Sequence, residues 1–349
     1  MVIYLKEGDS LTADFTNSDA IENLAYNCRI GNHILLGDRN LLEEIASTFI
    51  ISDRARSFLR QSAQRMTQQG SLINKVSWLL TIDTSNLVPG MVHLTTFSNA
   101  NYCEKSQLLT ENLSDSMVLT SLAEHFASVE FKGYKVVIRQ VAGGGSTTGQ
   151  CLHGLTSSPS GAVLCIVDSD RTFDGAAIGD TAKGTRKKYK ASKDKWRSSF
   201  HIIEQRELEN LIPDDILLHC VNKFIPAKSP EANALLQTST FFKDYFCVKS
   251  GDSTCRVVNS MIGKKRLSKL KEARGHVDSP LVKAESCGTC ALDNNCRTSP
   301  GFGAGFLSLV AQELSEGNIA LDCSSWRAEL LKLVERVASF GLGASPIRV

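Results

Sequence analysis

No apolar run in this 349-residue chain approaches the length of a membrane-crossing helix, about 20 residues. The N-terminus, Met1-Val-Ile-Tyr-Leu-Lys-Glu-Gly-Asp-Ser10, lacks a basic head followed by a long apolar stretch, so no signal peptide is expected. The expected compartment is the cytoplasm, with no membrane partner. Thiols stay reduced there, so a cluster among the 11 cysteines points to metal rather than to disulfides. Charge of one sign is also lacking. A net charge of +2 does not by itself mark a nucleic-acid binder. There is no internal repeat and no long low-complexity tract. No Gly-x-Ser-x-Gly nucleophile elbow occurs, and His125, His153 and His201 have no spaced Ser or Cys partner, so they are assigned to packing or surface roles. Gly144-Gly-Ser-Thr-Thr-Gly149 has the glycine spacing of a P-loop. Gln150 and Cys151 follow it, where Lys and then Ser or Thr are needed, which excludes ATPase activity in this chain.

What is present is the composition of a globular protein, 42% hydrophobic and 22% charged, long enough for two or three domains. Residues 1–100 are expected to form an N-terminal α/β domain of structural or partner-binding role. Its strands are expected at 32–37 and 76–82, and the stretch from Asp38 to Gln69 is expected to be helical, with Ser52 or Asp53 as a cap and Leu59, Ala63 and Met66 on one face. Residues 101–215 alternate. Strands are expected at 106–110, 134–142, 162–167 and 199–205, and helices at 114–126, 149–157 and 208–212, the last stopped by Pro213. Such alternation implies a mainly parallel sheet flanked by helices, an α/β fold. Residues 216–349 are expected to be mostly helical and carry a cysteine cluster.

Acids stand where apolar runs end. Glu111 follows Ser106-Gln-Leu-Leu-Thr110, Asp168 and Asp170 close Ala162-Val-Leu-Cys-Ile-Val167, and Glu207 and Glu209 follow His201-Ile-Ile-Glu-Gln-Arg206. Ligands of parallel sheets bind at the carboxyl ends of the strands. Charge is costly in a packed core, so acids there are expected to coordinate something, and carboxylate oxygens suit Mg²⁺ or Mn²⁺. Asp168 and Asp170, two apart on a strand, are expected to leave the same face and share one cation. Glu207 and Glu209 would complete a second site. Glu111 would be a ligand or a general acid or base. Two metals suit phosphodiester displacement. The bland alternative is that the acids are solvated loop residues and caps. Asp115 in particular suits the first turn of the helix beginning near Ser114.

Taken in order, Thr110-Glu111-Asn112-Leu113-Ser114-Asp115, Val167-Asp168-Ser169-Asp170 and Glu207-Leu-Glu209-Asn210-Leu-Ile-Pro213 resemble the Toprim domain, in the branch of the OLD-like nucleases and their antiphage-defence relatives. The resemblance covers residues 104–215, roughly a third of the chain. Asn112 departs from the glycine that the family carries after its first Glu, while Gly143-Gly-Gly145 matches a glycine after the second strand. The resemblance implies a nuclease acting on DNA or RNA, tRNA included, through two divalent ions. Asp115 would be an additional ligand, and Lys249 a catalytic lysine following the acidic motifs. On the residues alone, a surface lysine is the favoured reading of Lys249. Because the chain has no ATPase motif, the resemblance implies a separate ABC-type ATPase subunit that regulates a defence effector. A homodimer stays open. The alternative function is a non-catalytic Toprim scaffold that binds nucleic acid or a partner.

Two further groups stand out. Lys183, Arg186, Lys187, Lys188, Lys190, Lys193, Lys195 and Arg197 crowd the stretch between Asp170 and Glu207. They are candidates for nucleic-acid backbone contacts or for a solvated loop, with Tyr189 and Trp196 available for base stacking or packing. Cys287, Cys290 and Cys296 have a spacing that suits structural Zn²⁺, with Cys323, Cys255, Cys247 or His276 as fourth ligand. An iron–sulfur cluster or free thiols are the alternatives.

Overall fold

The computed structural model of this chain describes residues 1–6, 11–83, 92–236, 240–253 and 297–346. In chain order the opening elements are β1 (Val2–Lys6), α1 (Phe15–Arg29), β2 (Ile34–Gly37), α2 (Arg39–Thr48), α3 (Asp53–Gln69), β3 (Leu79–Asp83) and β4 (Val92–His93). The helical stretch expected at 38–69 is two helices, and the second starts at the expected cap, Ser52. Asp38 accepts from the backbone N–H groups of Asn40 and Leu41 to start α2, and Ser52 accepts from Ala55 N–H to start α3. Each cap satisfies amide groups that the first turn leaves unpaired. The four strands form one parallel sheet in the order β2-β1-β3-β4.

The second group comprises β5 (Ser106–Thr110), α4 (Leu113–Glu130), β6 (Tyr134–Val136), β7 (Ile138–Ala142), α5 (Thr148–Ser157), β8 (Val163–Val167), α6 (Asp180–Ala191) and β9 (Ser198–Ile202). Its sheet runs β7-β5-β8-β9, and β5 pairs in parallel with both β7 and β8. Every residue of β5 and β8 is buried, as expected of strands covered on both faces. The chain continues through α7 (Asp214–Phe224), α8 (Ser229–Leu236), α9 (Thr240–Tyr245), β10 (Gly251–Ser253), β11 (Arg297–Pro300), α10 (Phe306–Ser315), α11 (Ala328–Gly341) and β12 (Leu342–Ala344). β12 pairs antiparallel with β6, and β10 with β11. The fold is α/β, with parallel sheets flanked by helices. Among the described residues, no helix is long and apolar enough to cross a membrane.

The chain gathers into two compact units, which do not follow the boundaries expected at 100 and 215. The first is Met1–Ile166, Gly184–His201 and Leu331–Val349, and the second is Val167–Lys183 and Ile202–Leu330. Within the first, the buried β1 residues Val2, Ile3 and Leu5 share a core with Leu24, Leu42 and Ile82. In the second, fully buried Glu313 of α10 accepts from Lys223 Nζ at 2.7 Å and lies 2.7 Å from His219 Nε2, both on α7. The lysine and then the histidine hold its carboxyl down to about 2.

In the first unit His33 is buried, with Nε2 at 2.9 and 3.0 Å from the carbonyl oxygens of Cys103 and Glu104. Burial, and then the nearby N-terminal ammonium, lower its pKa from 6.5 to about 3. The unfolded chain therefore takes up a proton that the folded chain refuses. Stability is expected to fall as pH drops below 6.5, by about 2 kcal/mol between pH 7 and pH 5 from this group. Urea titrations across that range should show the slope, and His33→Gln should flatten it. An unchanged slope in the variant would remove His33 as its source.

Candidate functional site

The acids predicted from sequence divide between the two units. In the first, Glu111 directly follows β5 and is half-buried. Its carbonyl oxygen accepts from Gly144 N–H at 3.0 Å and Gly145 N–H at 3.3 Å, while Gly143 N–H donates to Thr110 O at 2.7 Å. Gly144 has φ +74°, a conformation that glycine adopts without steric cost, so this turn needs the glycine the sequence supplies. Asn112 needs none. Its φ of −123° is ordinary extended backbone, so the departure from glycine at this position carries no conformational penalty.

Asp115 is buried, and its Oδ2 accepts from Asn112 N–H at 3.0 Å. This is the reciprocal half of a capping box at the start of α4. The carboxylate thus has a local structural task, of the kind the bland alternative foresaw.

In the second unit, Asp168, Glu207 and Glu209 are buried and gather on one ammonium. Lys249 Nζ lies 3.5 Å from Asp168 Oδ2, 4.0 Å from Glu207 Oε2 and 3.2 Å from Glu209 Oε1. The reading of Lys249 as a surface lysine is corrected here, since its side chain is only 27% exposed and three carboxylates surround its charge.

The scaffold of this cluster is backbone hydrogen bonding. Asp168 Oδ1 accepts from Leu208 N–H at 2.9 Å. Glu207 Oε1 accepts from Val248 N–H at 2.6 Å and Lys249 N–H at 3.3 Å. Burial raises the Glu207 carboxyl above its ordinary value, and the charges of Lys249 and Arg206 oppose the rise. From the other side, Phe302 N–H donates to Val248 O and Gly303 N–H to Lys249 O, at 2.8 and 2.9 Å. Gly301 runs so close to the backbone of Lys249, Ser250 and Gly251 that a Cβ would overlap it.

Asn210 ties the two halves of this frame. Its side-chain carbonyl accepts from Glu207 N–H at 2.9 Å, and its amide donates to the carbonyls of Lys243 and Phe246 at 2.5 and 2.9 Å. Arg327 adds an ion pair of 2.6 Å to Asp244, beside the same segment. Glu207 and Asn210, three apart, form a reciprocal capping box at the start of the short turn that follows. Nothing local to Arg327 announces its role.

Asp170 is placed differently from Asp168. The strand ends at Val167, and Asp170 has φ +54°, so strand alternation does not extend across the pair. Asp170 is exposed and lies against Gly179, with its N–H donating to Arg206 O at 2.8 Å. A positive φ in a non-glycine residue is uncommon, and hydrogen bonds to the distant segment at Gln205 and Arg206 hold this one. Ser169 Oγ donates to Gln205 O at 2.5 Å, and Gly179 N–H to Ser169 O at 2.7 Å.

Among the described residues, no group of three or more His, Cys, Asp or Glu side chains is disposed to hold a metal ion. The donor set around Lys249 still matches a hard divalent cation in chemistry. It consists of the carboxylate oxygens of three buried acids, which such ions prefer. Cys287, Cys290 and Cys296 lie outside the described residues, as do Cys255 and His276. Cys247 Sγ is 3.0 Å from Ser250 Oγ.

The basic stretch resolves into two kinds of residue. Lys183, Arg186, Lys187 and Lys188 are exposed on α6. Arg197 is 1% exposed, donating to the carbonyls of Leu155, Thr156, Ser158 and Ser160 at 3.1, 2.8, 2.8 and 3.2 Å, so it is a structural buckle rather than a surface cation. Trp196 packs on Phe97 and Tyr102 with ring centroids 5.7 and 5.6 Å away, and Tyr189 stacks on Phe200 at 5.4 Å. Both aromatic rings are engaged in packing.

Comparison with protein-family models, with curated proteins and with solved structures returns no match.

Proposed function

We propose that the chain is a metal-dependent nuclease of Toprim type and that the group around Lys249 is its reaction centre. The observation that carries this reading is the convergence of three buried carboxylates on one lysine ammonium, at 3.2–4.0 Å. Buried acids crowded together disfavour their own ionisation unless cations accompany them. Lys249 and Arg206 place positive charge beside these acids, and their carboxylate oxygens are the donors that a hard divalent cation prefers. Asp168, Glu207 and Glu209 would hold Mg²⁺ or Mn²⁺, with Asp170 as a further candidate in the same unit, while the role of Glu111 follows from the motif resemblance alone. The ion would supply Lewis-acid stabilisation of phosphoryl oxygens and a more acidic bound water. Lys249, held from both sides by backbone hydrogen bonds, would present its ammonium to the charge that develops on a phosphate. Its freedom from the acids would then depend on their taking up metal. On the same reading the substrate is DNA or RNA, and a separate ATPase subunit and the defence setting follow from the motif resemblance.

The test is cleavage of plasmid DNA, linear DNA and tRNA with Mg²⁺ or Mn²⁺, with and without a candidate ATPase partner. Asp168→Asn and Glu209→Gln are expected to lower the rate about 100-fold or more, corresponding to ~2.7 kcal/mol of lost transition-state stabilisation. Undiminished cleavage by both variants would sink the site.

A second reading has its own observation. Asp168 and Glu207 each accept backbone N–H groups, as purely structural carboxylates do. This favours a non-catalytic scaffold, for which Mg²⁺ should neither bind nor alter stability.

A further inference from the structure

α6 spans Asp180–Ala191, and its two sides differ sharply. Ala182 and Thr185 are buried, Ser192 is buried just past the helix end, and Tyr189 stacks inward on Phe200. These positions recur every three or four residues, the period of one helix face. The approach to α5 is close, since a Cβ on Gly149 would lie 3.2 Å from Thr185 Cα. The inner face is thus committed, and the orientation of the helix is set by packing.

The outer face carries Lys183, Arg186, Lys187 and Lys190, all exposed. Their spacing of i, i+3, i+4 and i+7 aligns them in one stripe. Asp180 at the helix start pairs with Lys183 at 3.1 Å, but both side chains are largely exposed, and such pairs hold weakly. Exposed Lys193 and Lys195 continue the positive charge past the helix end. Lys188 is equally exposed yet lies off the stripe, about 140° around the helix from Lys183 at 3.6 residues per turn.

We infer that this stripe is a docking track for one phosphate backbone of a nucleic acid, without base readout. The inference rests on the nuclease reading for its biological sense, though not for its test. From Lys183 to Lys190 the helix rises about 10.5 Å. One strand of a duplex presents a phosphate about every 3.4 Å of axis, so the stripe faces about three. Lysine and arginine on a rigid helix supply the charge, and the side chains suited to base stacking are turned inward. An anionic membrane is the poorer fit. A helix that lies in a membrane surface inserts apolar residues from its outer face, and α6 has cations there.

The experiment is fluorescence anisotropy of the full chain with a labelled mixed-sequence DNA duplex and a labelled single-stranded RNA, in EDTA, across a salt series. The triple variant Arg186→Gln, Lys187→Gln, Lys190→Gln should weaken duplex binding at least about tenfold at low salt. It should also flatten the log–log salt slope by about 2 to 3, at 0.9 per lost phosphate contact. Lys187→Gln alone should flatten it by about one, whereas Lys188→Gln should leave it unchanged. An unchanged slope in the triple variant would overturn the proposal. So would equal loss in Lys187→Gln and Lys188→Gln, or binding to phosphatidylserine–phosphatidylcholine vesicles but to neither nucleic acid. Because metal is chelated, the result is independent of cleavage. A failed reaction centre would leave the stripe effect intact, and a failed stripe would leave cleavage by the triple variant at the wild-type level.

Discussion

Lys249→Met is expected to destabilise the fold by about 3–5 kcal/mol at pH 7, the range for removing one member of a buried charge group. The side chain is 27% exposed, and its Nζ lies within 4.0 Å of three buried carboxylates. Methionine keeps most of the stem and removes the charge, so lost packing contributes little. Acidification should return part of the loss. Burial already raises the Glu207 carboxyl, and loss of the ammonium that opposes this should raise it further. A carboxyl with a raised folded pKa stabilises the fold below its unfolded value of 4.5, and that contribution is lost as pH rises through the folded value. The variant's deficit should therefore be larger at pH 7 than at pH 5. Urea denaturation at both values measures it, and a deficit under about 1 kcal/mol at pH 7 would return Lys249 to the class of exposed lysines. If the acids take metal, Mg²⁺ should raise the denaturation midpoint of the variant more than that of the wild type. The scaffold reading predicts no Mg²⁺ effect on either.

Arg197→Met should be of similar size, about 3 kcal/mol or more. The guanidinium is buried and donates to four backbone carbonyls and to Ser160 Oγ, with Asp194 Oδ2 at 3.2 Å and the Tyr102 ring centroid 5.3 Å from Cζ. Leu155 and Thr156 belong to the last turn of α5, whose carbonyls have no intrahelical donor and carry the negative end of the helix dipole. The arginine thus joins α5, the loop to β8 and the entry to β9 in one hydrogen-bonded group. Lysine should restore only part of the stability, because a single ammonium cannot reproduce the planar fork that reaches several acceptors. Thermal unfolding of the three proteins gives the order directly. A methionine variant as stable as wild type would show that these carbonyls find other donors.

The two arginine and lysine cases show where sequence reading stops. Arg197 closes a run of exposed cations and is indistinguishable from them by composition. Its burial follows from α5 and β9 meeting in space. Lys249 follows an aromatic stretch whose local pattern is silent about acids 40 and 81 positions earlier, at Glu209 and Asp168. Asp170 shows the converse. The two-residue spacing invites a shared strand face, but strand geometry ends at Val167, and the aspartate lies against Gly179.

The local and periodic features are legible in the order of the residues. These include the buried strands β5 and β8 from their apolar runs, the breaks and caps around α2, α3 and α4, the glycine turn at 143–145, and the acids that follow strand ends. Such features are decided within a few residues, by backbone sterics and by side chains bonding to nearby amides. Which charges meet and which face solvent is set by packing in three dimensions. The hydrophobic burial that draws distant segments together is non-directional, and it leaves no pairwise mark in the chain. The same residue type, placed by packing, is therefore a buckle at Arg197, the centre of an acid cluster at Lys249 and an exposed stripe along α6.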